Sequence, residues 1–168
     1  MSEVTQKQIT IEESQGPETH VILDYWNDKR GSRFAPAWSD IELMDLPLSL
    51  IPHLVVVDVI GNAMDFKYRF WGTWHVQFHG YEQSNKLVSE LNPPPYRDLI
   101  SSQYKQTIEV REPQLFVQQI PIKSDLWVFT ELSRFPLSDD GKTVTNILSA
   151  ELAFSDTSEV SKYFSGDQ

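Results

Sequence analysis

The run Leu54-Val55-Val56-Val57-Asp58-Val59-Ile60 constrains the fold more than any other stretch of the chain. It is β-branched at nearly every position, so it reads as a strand. It lacks the every-second-residue alternation of a half-exposed strand, so both of its faces need a cover. Gly61-Asn62 ends the run, and Phe66 to Thr73 reads as its return strand across the loop GNAMD. Three more strand-like runs close the chain, at residues 114–122, 126–137 and 144–154. Asp139-Asp140-Gly141 has the composition of a hairpin turn between the last two. Strands joined by such short turns make an antiparallel sheet.

The covers have to be helical. Gly16-Pro17-Glu18 opens a first helix, with proline in its first turn and an acid at its positive end. Val21, Ile22, Tyr25 and Trp26 then form an i, i+3, i+4 stripe, and Gly31 ends it. The middle of the chain carries a short helix from Thr73 to about 79, stopped by Gly80, and another short one over 84–91. A longer helix, Tyr96 to about Val110, has its buried stripe at Leu99, Ile100, Tyr104 and Ile108. The expected architecture is α+β: a five-stranded antiparallel sheet with helices across one face and the N-terminal helix on the other. Residues 1–15 show no periodicity and read as a flexible leader, 16–154 as a single domain, and 155–168 as a polar, frayed tail.

Composition removes several functions. The 168 residues carry a net charge of −10, and the only dense basic cluster is Lys29, Arg30 and Arg33. Nucleic acid and anionic membranes are therefore poor partners. The absence of cysteine excludes disulfides, thiolate metal sites, Cys nucleophiles and cysteinyl flavin adducts. The N-terminus has no apolar core of a signal peptide, and no segment nears the ~20 apolar residues of a membrane span. The chain reads as a cytoplasmic protein.

The order of two strands, a helical middle and three strands resembles the PAS domain. Local sequence is similar to a bacterial, stand-alone branch of it, the PAS_5 type, over roughly residues 20–154. The residues that carry the resemblance are Tyr25-Trp26, Arg30-Gly31, Asp40-Ile41, Asp45-Leu46-Pro47, Ile51-Pro52-His53 and Val57-Asp58-Val59 in the first half. Tyr68-Arg69, Gly72-Thr73, Gly80, Phe135-Pro136-Leu137, Asp140-Gly141 and Ile147-Leu148 continue it. Arg111-Glu112-Pro113 departs from it, standing where a glycine-containing turn is expected. The resemblance implies a cavity between helices and sheet, and a sensory role in bacterial signalling through a partner or dimer. It also implies that a haem ligand would lie on the long helix, where residues 96–110 contain no histidine.

The chemistry-bearing residues centre on YRFWGTWHVQFHG, residues 68–80. His75 and His79, four apart, share one helical face. Two imidazoles are fewer ligands than a zinc site needs, and no third is visible nearby, so neither metal nor cofactor is expected. Phe70, Trp74, His75, Phe78, Tyr104 and Phe129 are candidates to line a pocket for a small apolar or aromatic ligand; equally, these rings could fill the core. Strict alternation puts Phe66, Tyr68 and Phe70 on one sheet face, and Lys67, Arg69 and Trp71 on the other. Asp58 and Arg69 read as a structural charge pair across the hairpin. Glu131 is an odd charge in an apolar strand and reads as pointing outward. No catalytic residue is assigned. The leading expectation is a non-catalytic sensory or interaction module, pairing with a partner protein or a second copy through the N-terminal helix. The alternatives are a structural interaction domain with a filled cavity, and a small cone-fold enzyme using His75 or His79 with a carboxylate.

Overall fold

A computed structural model describes residues 3–164. Its sheet has six strands: β1 (Thr5–Ile9), β2 (Leu54–Ile60), β3 (Asp65–Trp71), β4 (Gln114–Pro121), β5 (Trp127–Leu137) and β6 (Asn146–Ala153). They lie in the order β1-β4-β5-β6-β2-β3, and every neighbouring pair is antiparallel. Three main helices accompany them: α1 (Pro17–Arg30), α2 (Thr73–His79) and α3 (Pro94–Val110). Helix α1 lies on one face of the sheet, here called outer, where Ile22 and Trp26 pack with Leu54, Val56, Phe135, Leu137 and Leu148. The inner face is covered by the helical middle: Tyr96, Ile100 and Tyr104 of α3 pack with Val55, Val57, Phe66 and Ile147. The continuous apolar run of β2 thus splits evenly, Leu54 and Val56 outward, Val55 and Val57 inward. No helix of the described residues is long and apolar enough to cross a membrane.

The sixth strand corrects the five-strand expectation and the flexible leader over residues 1–15. Strand β1 pairs with β4 from Thr5↔Gln119 to Ile9↔Leu115. It escaped hydropathy analysis because its inward side chains are glutamines. Gln6 Oε1 accepts from Gln103 Nε2 of α3 at 2.8 Å, and Gln8 Nε2 donates to Gln114 Oε1 at 2.6 Å. A face made of exposed amides that bond one another has no apolar period to find. The supposed tail is corrected in part as well. Val160 and Tyr163 are buried against Ile9, Leu115 and Val117, and the Tyr163 hydroxyl donates to the Glu13 carbonyl at 2.8 Å. Residues 1, 2 and 165–168 of those two segments lie outside the described residues.

Two backbone features set the inner face. Between Val56 and Val57 the β2–β3 register slips, from Val56↔Phe70 to Val57↔Tyr68, leaving Arg69 as an extra residue. This bulge reverses which side chains of β3 face inward beyond it. Phe66, Tyr68 and Trp71 consequently belong to the inner core, whereas Phe70 packs with the outer one. Strict alternation had placed Phe70 with Tyr68, and Trp71 opposite. The second feature is the corner at Gly72, whose amide donates to the Leu54 carbonyl at 3.0 Å. A Cβ there would run into the carbonyl of Pro52, which is backbone and cannot swing away. Gly72→Ala is expected to destabilise the protein by about 2 kcal/mol in denaturant unfolding. A loss below ~0.5 kcal/mol would mean that the corner relaxes freely.

Arg111 ends α3 in the left-handed conformation (φ 63°, ψ 26°), its amide bonded to the Thr107 carbonyl. It opens the segment Arg111-Glu112-Pro113, where a glycine-containing turn was expected. Its guanidinium lies 4.0 Å from the centre of the Phe34 ring. Glu131, expected to point outward into solvent, is instead buried under the start of α1. It accepts from Ser14 Oγ at 2.9 Å, the Gln15 amide at 3.3 Å and Thr19 Oγ1 at 2.7 Å. A carboxylate satisfied in this way also complements the positive end of the helix.

Candidate functional site

The inner chamber lies between the sheet and helices α2 and α3. Val55, Tyr68 and Trp71 supply one wall, and Tyr96, Ile100 and Tyr104 of α3 the opposite one. Its floor is polar, made by Arg134 of β5 and Ser149 and Glu151 of β6. Side chains nearly fill it: about 20 Å³ remains. That is space for about one water molecule.

The six pocket candidates separate. His75 and Tyr104 line the chamber. Trp74 and Phe78 stack on each other 4.1 Å apart, half-buried, edge-on to His75 and His79, and neither lines the chamber. Phe70 lies on the outer face because of the bulge. Phe129 also lies there, packed against Leu115, Val117 and Tyr163, since strand alternation from Phe135 through Glu131 carries it outward. Asp58 and Arg69 meet at 2.7 Å, with their side chains 29% and 45% exposed. Asn146 also donates to Asp58, at 2.6 Å. So exposed a pair contributes less than about 1 kcal/mol.

The chamber floor holds charged residues that sequence reasoning passed over. Arg134 donates through Nε and Nη2 to Gln103 Oε1 (3.1 and 2.8 Å) and through Nη1 to Ser149 Oγ (2.8 Å). Its guanidinium also stacks 3.9 Å over Tyr104. Gln103 donates to Gln118 at 2.8 Å, and Gln118 to Glu151 Oε1 at 3.2 Å. Thr130 Oγ1 donates to the same oxygen at 2.9 Å. Arg134 is 2% exposed and Glu151 5%, so the network is fully inside. The available signal was the inward period of β5 and β6: counting by twos, Thr130, Leu132 and Arg134 share the face of Ser149 and Glu151.

At the end of this network stands the histidine pair. Both rings are buried, at 1% and 5% exposure, and lie parallel with centres 6.0 Å apart. His75 Nε2 lies 2.9 Å from the His53 carbonyl oxygen. A carbonyl only accepts, so Nε2 carries the hydrogen, and Nδ1 of the neutral ring is bare. That Nδ1 lies 3.6 Å from Glu151 Oε2. The pair would be ionic only with a protonated imidazole. Burial lowers both histidines to about 4, with the His53 carbonyl and Glu151 opposing the shift at His75 and His79 respectively. Both rings are therefore neutral at pH 7, and a nitrogen lone pair faces a carboxylate oxygen. His75 Nδ1, His79 Nε2 and Ser133 Oγ are the buried side-chain atoms without a hydrogen-bond partner among the described residues. The expectation of no metal rested on the lack of a third ligand. Glu151 removes that ground: it brings one ligand atom together with one from each histidine, all within 4.8 Å of one another.

Larger hollows among the described residues open at the surface. One of about 420 Å³ lies between α1 and the start of β4, bordered by Trp26, Arg30, Phe34 and Arg111, and is open to solvent. None of the unpartnered atoms lies in it.

Comparison with known proteins gives a consistent picture of the fold. Residues 15–150 match the PAS_5 family, described as a PAS domain. No curated protein sequence matches the chain. A light-oxygen-voltage domain studied with a flavin analogue superposes with a TM-score of 0.52 at 16% identity, over 67% of this chain and 84% of that one. The light-state structure of the blue-light photoreceptor Aureochrome1 LOV gives 0.51 at 10% identity, over 70% and 92%. An RNA-binding light-oxygen-voltage receptor gives 0.51 at 12% identity, over 98% of this chain and 42% of that one. At such identities the likeness is one of fold. With the family match spanning most of its length, this chain belongs to the PAS domain family.

Proposed function

We propose that this protein is a non-catalytic PAS sensory module whose responsive element is the buried His75–His79–Glu151 cluster, and that its output passes to a partner chain or a second copy. One observation carries the reading: His75, whose buried Nδ1 has no hydrogen-bond partner, borders a space of about 20 Å³ in the chamber. A buried donor or acceptor without a partner costs about 1–3 kcal/mol. Folds keep such costs mainly where function requires them. The same volume argues against the apolar or aromatic ligand expected from sequence. A pocket for a flat organic molecule occupies roughly 300 Å³ or more. The stimulus suited to this chamber is small and polar or ionic.

The enzyme alternative has the right residue types, a histidine and a carboxylate 3.6 Å apart. It lacks a cleft: His75 is 1% exposed, and the adjoining space does not admit a substrate. For output, the apolar stripe of α1 is already used inward by Ile22 and Trp26. Val21 of that helix stays 42% exposed, and two apolar side chains beyond the helix, Met44 and Leu48, are 66% and 70% exposed. These two belong to the segment that Tyr25 and Lys29 of α1 hold through Glu42 and Asp45. This is the surface through which the proposed partner or second copy would dock.

Native mass spectrometry of the protein as purified tests the reading. The expected result is the bare chain, or the chain with an adduct no larger than a single small ion, as monomer or dimer. A stoichiometric flavin, haem or other organic molecule would overturn it.

A further inference from the structure

We propose that His75, His79 and Glu151 form a buried site for one divalent transition-metal ion of the class that takes imidazole and carboxylate ligands, such as zinc or ferrous iron. The proposal rests on the reading of the chamber cluster as the responsive element, and names what it responds to.

The argument begins with three potential ligand atoms, one each from His75, His79 and Glu151, gathered inside the fold within 4.8 Å of one another. His75 turns a bare Nδ1 inward because its Nε2 hydrogen is held by the His53 carbonyl. His79 Nε2 is buried with no partner. Glu151 is held through Oε1 by Gln118 and Thr130, which leaves Oε2 aimed at His75 Nδ1, 3.6 Å away. The bare Nδ1 of His75 and the Glu151 carboxylate oxygen repel each other unless a cation or a proton sits between them. Bonds of ~2.0–2.2 Å to zinc would set the ligand atoms roughly 3–3.5 Å apart. The His75–Glu151 pair is already near that spacing, and no pair is wider than 4.8 Å.

The supporting contacts are those a metal site uses. Histidines at i and i+4 on one helix are a chelating pair, here on α2. A histidine ligand fixes its ring by donating its other N–H to a backbone carbonyl, as His75 does to His53. The carboxylate comes from a different element, β6, and is oriented by two donors of its own. His75 and Glu151 both border the residual space of about 20 Å³, which gives a three-ligand ion a fourth position for water. Arg134, the nearby cation, is held to Gln103 and Ser149 and does not occupy the site, although its charge weakens binding of another cation.

The test uses the full chain without an affinity tag, because burial of the ligands makes loading during folding the direct route. Protein unfolded in denaturant with chelator is refolded with one equivalent of Zn²⁺, or of Co²⁺ as an optical probe, and passed through gel filtration. The expected result is one retained metal per chain, with a raised thermal midpoint and a Co²⁺ visible spectrum of low coordination number. Glu151→Gln and, independently, His79→Gln should weaken binding by more than about 10-fold, a loss that even outer-shell partners reach. His20→Gln, on the exposed side of α1, should retain it in full. Circular dichroism establishes which variants fold, and either folded variant suffices. Failure of the refolded wild type to retain Zn²⁺ or Co²⁺, or equal retention by wild type and a folded ligand variant, overturns the metal site. The sensory reading would survive that result, since it falls only to an organic molecule in the native mass spectrum.

Discussion

Acidifying the metal-free protein from pH 7 to pH 4 is expected to remove about 3 kcal/mol of stability for each of His75 and His79. The cause is burial, which holds both imidazoles at about 4 in the folded chain against 6.5 when exposed. As the pH falls through 6.5, the unfolded chain takes up two protons that the folded chain refuses. The unfolded state therefore binds more protons between pH 6.5 and 4, and folding stability drops across that window as the pH is lowered. The contribution is complete above pH 6.5 and gone once the folded rings protonate near 4. Groups facing the pair pull both ways: Glu151 on β6 favours the charged form of His79, while Arg134 on β5 opposes that of His75. Surface carboxylates held low by hydrogen bonds, such as Asp40 and Asp156, act in a different window, below about pH 4. Urea unfolding at a series of pH values in the presence of chelator measures the slope. A flat profile between pH 6.5 and 4.5 would show that the rings already share a proton or a cation at pH 7. His75→Gln/His79→Gln should flatten the profile at the cost of the group it replaces, separating these rings from the carboxylates.

Much of the fold could be seen in the chain beforehand because it obeys hydropathy. The β2 run announced a two-faced sheet, the Ile22/Trp26 stripe announced its outer cover, and α3 begins and ends within two residues of its expected bounds. What escaped does not follow hydropathy. Strand β1 bonds its exposed Gln6 and Gln8 to glutamines of α3 and β4, so that face looks like a polar leader. The bulge at Arg69 is a one-residue change of register, and no composition signals it. It moved Phe70 out of the chamber and Trp71 in. The site itself was half legible. The histidine spacing on α2 could be read directly, but Glu151 lies 72 positions beyond His79 and reaches it only because β6 crosses the sheet beside β2. A ligand set assembled from distant strands is invisible to spacing rules. Arg134 and Glu151 were nonetheless charges in otherwise apolar strands, and the inward period placed them together.

Trp26→Ala is expected to destabilise the domain by about 3–5 kcal/mol, the range for truncating a buried aromatic. Trp26 is 4% exposed and packs with Phe135, ring centres 6.4 Å apart, in the cluster that closes the outer face. Its indole N–H donates to the Pro136 carbonyl at 2.8 Å. Alanine therefore opens a cavity and also strips a buried carbonyl of its donor, a further loss of about 1 kcal/mol. The guanidinium of Arg30, 5.4 Å from the ring centre, loses its aromatic platform as well. Trp26→Phe separates these contributions: it keeps most of the packing and loses the hydrogen bond, so its cost should be about 1–2 kcal/mol. Denaturant unfolding of the two variants beside wild type decides the matter. A Trp26→Ala loss below ~0.5 kcal/mol would mean that α1 is undocked in solution. The outer face of β2, β5 and β6 would then stand open as an apolar surface for a partner, and the output surface would move from Met44 and Leu48 to the sheet itself.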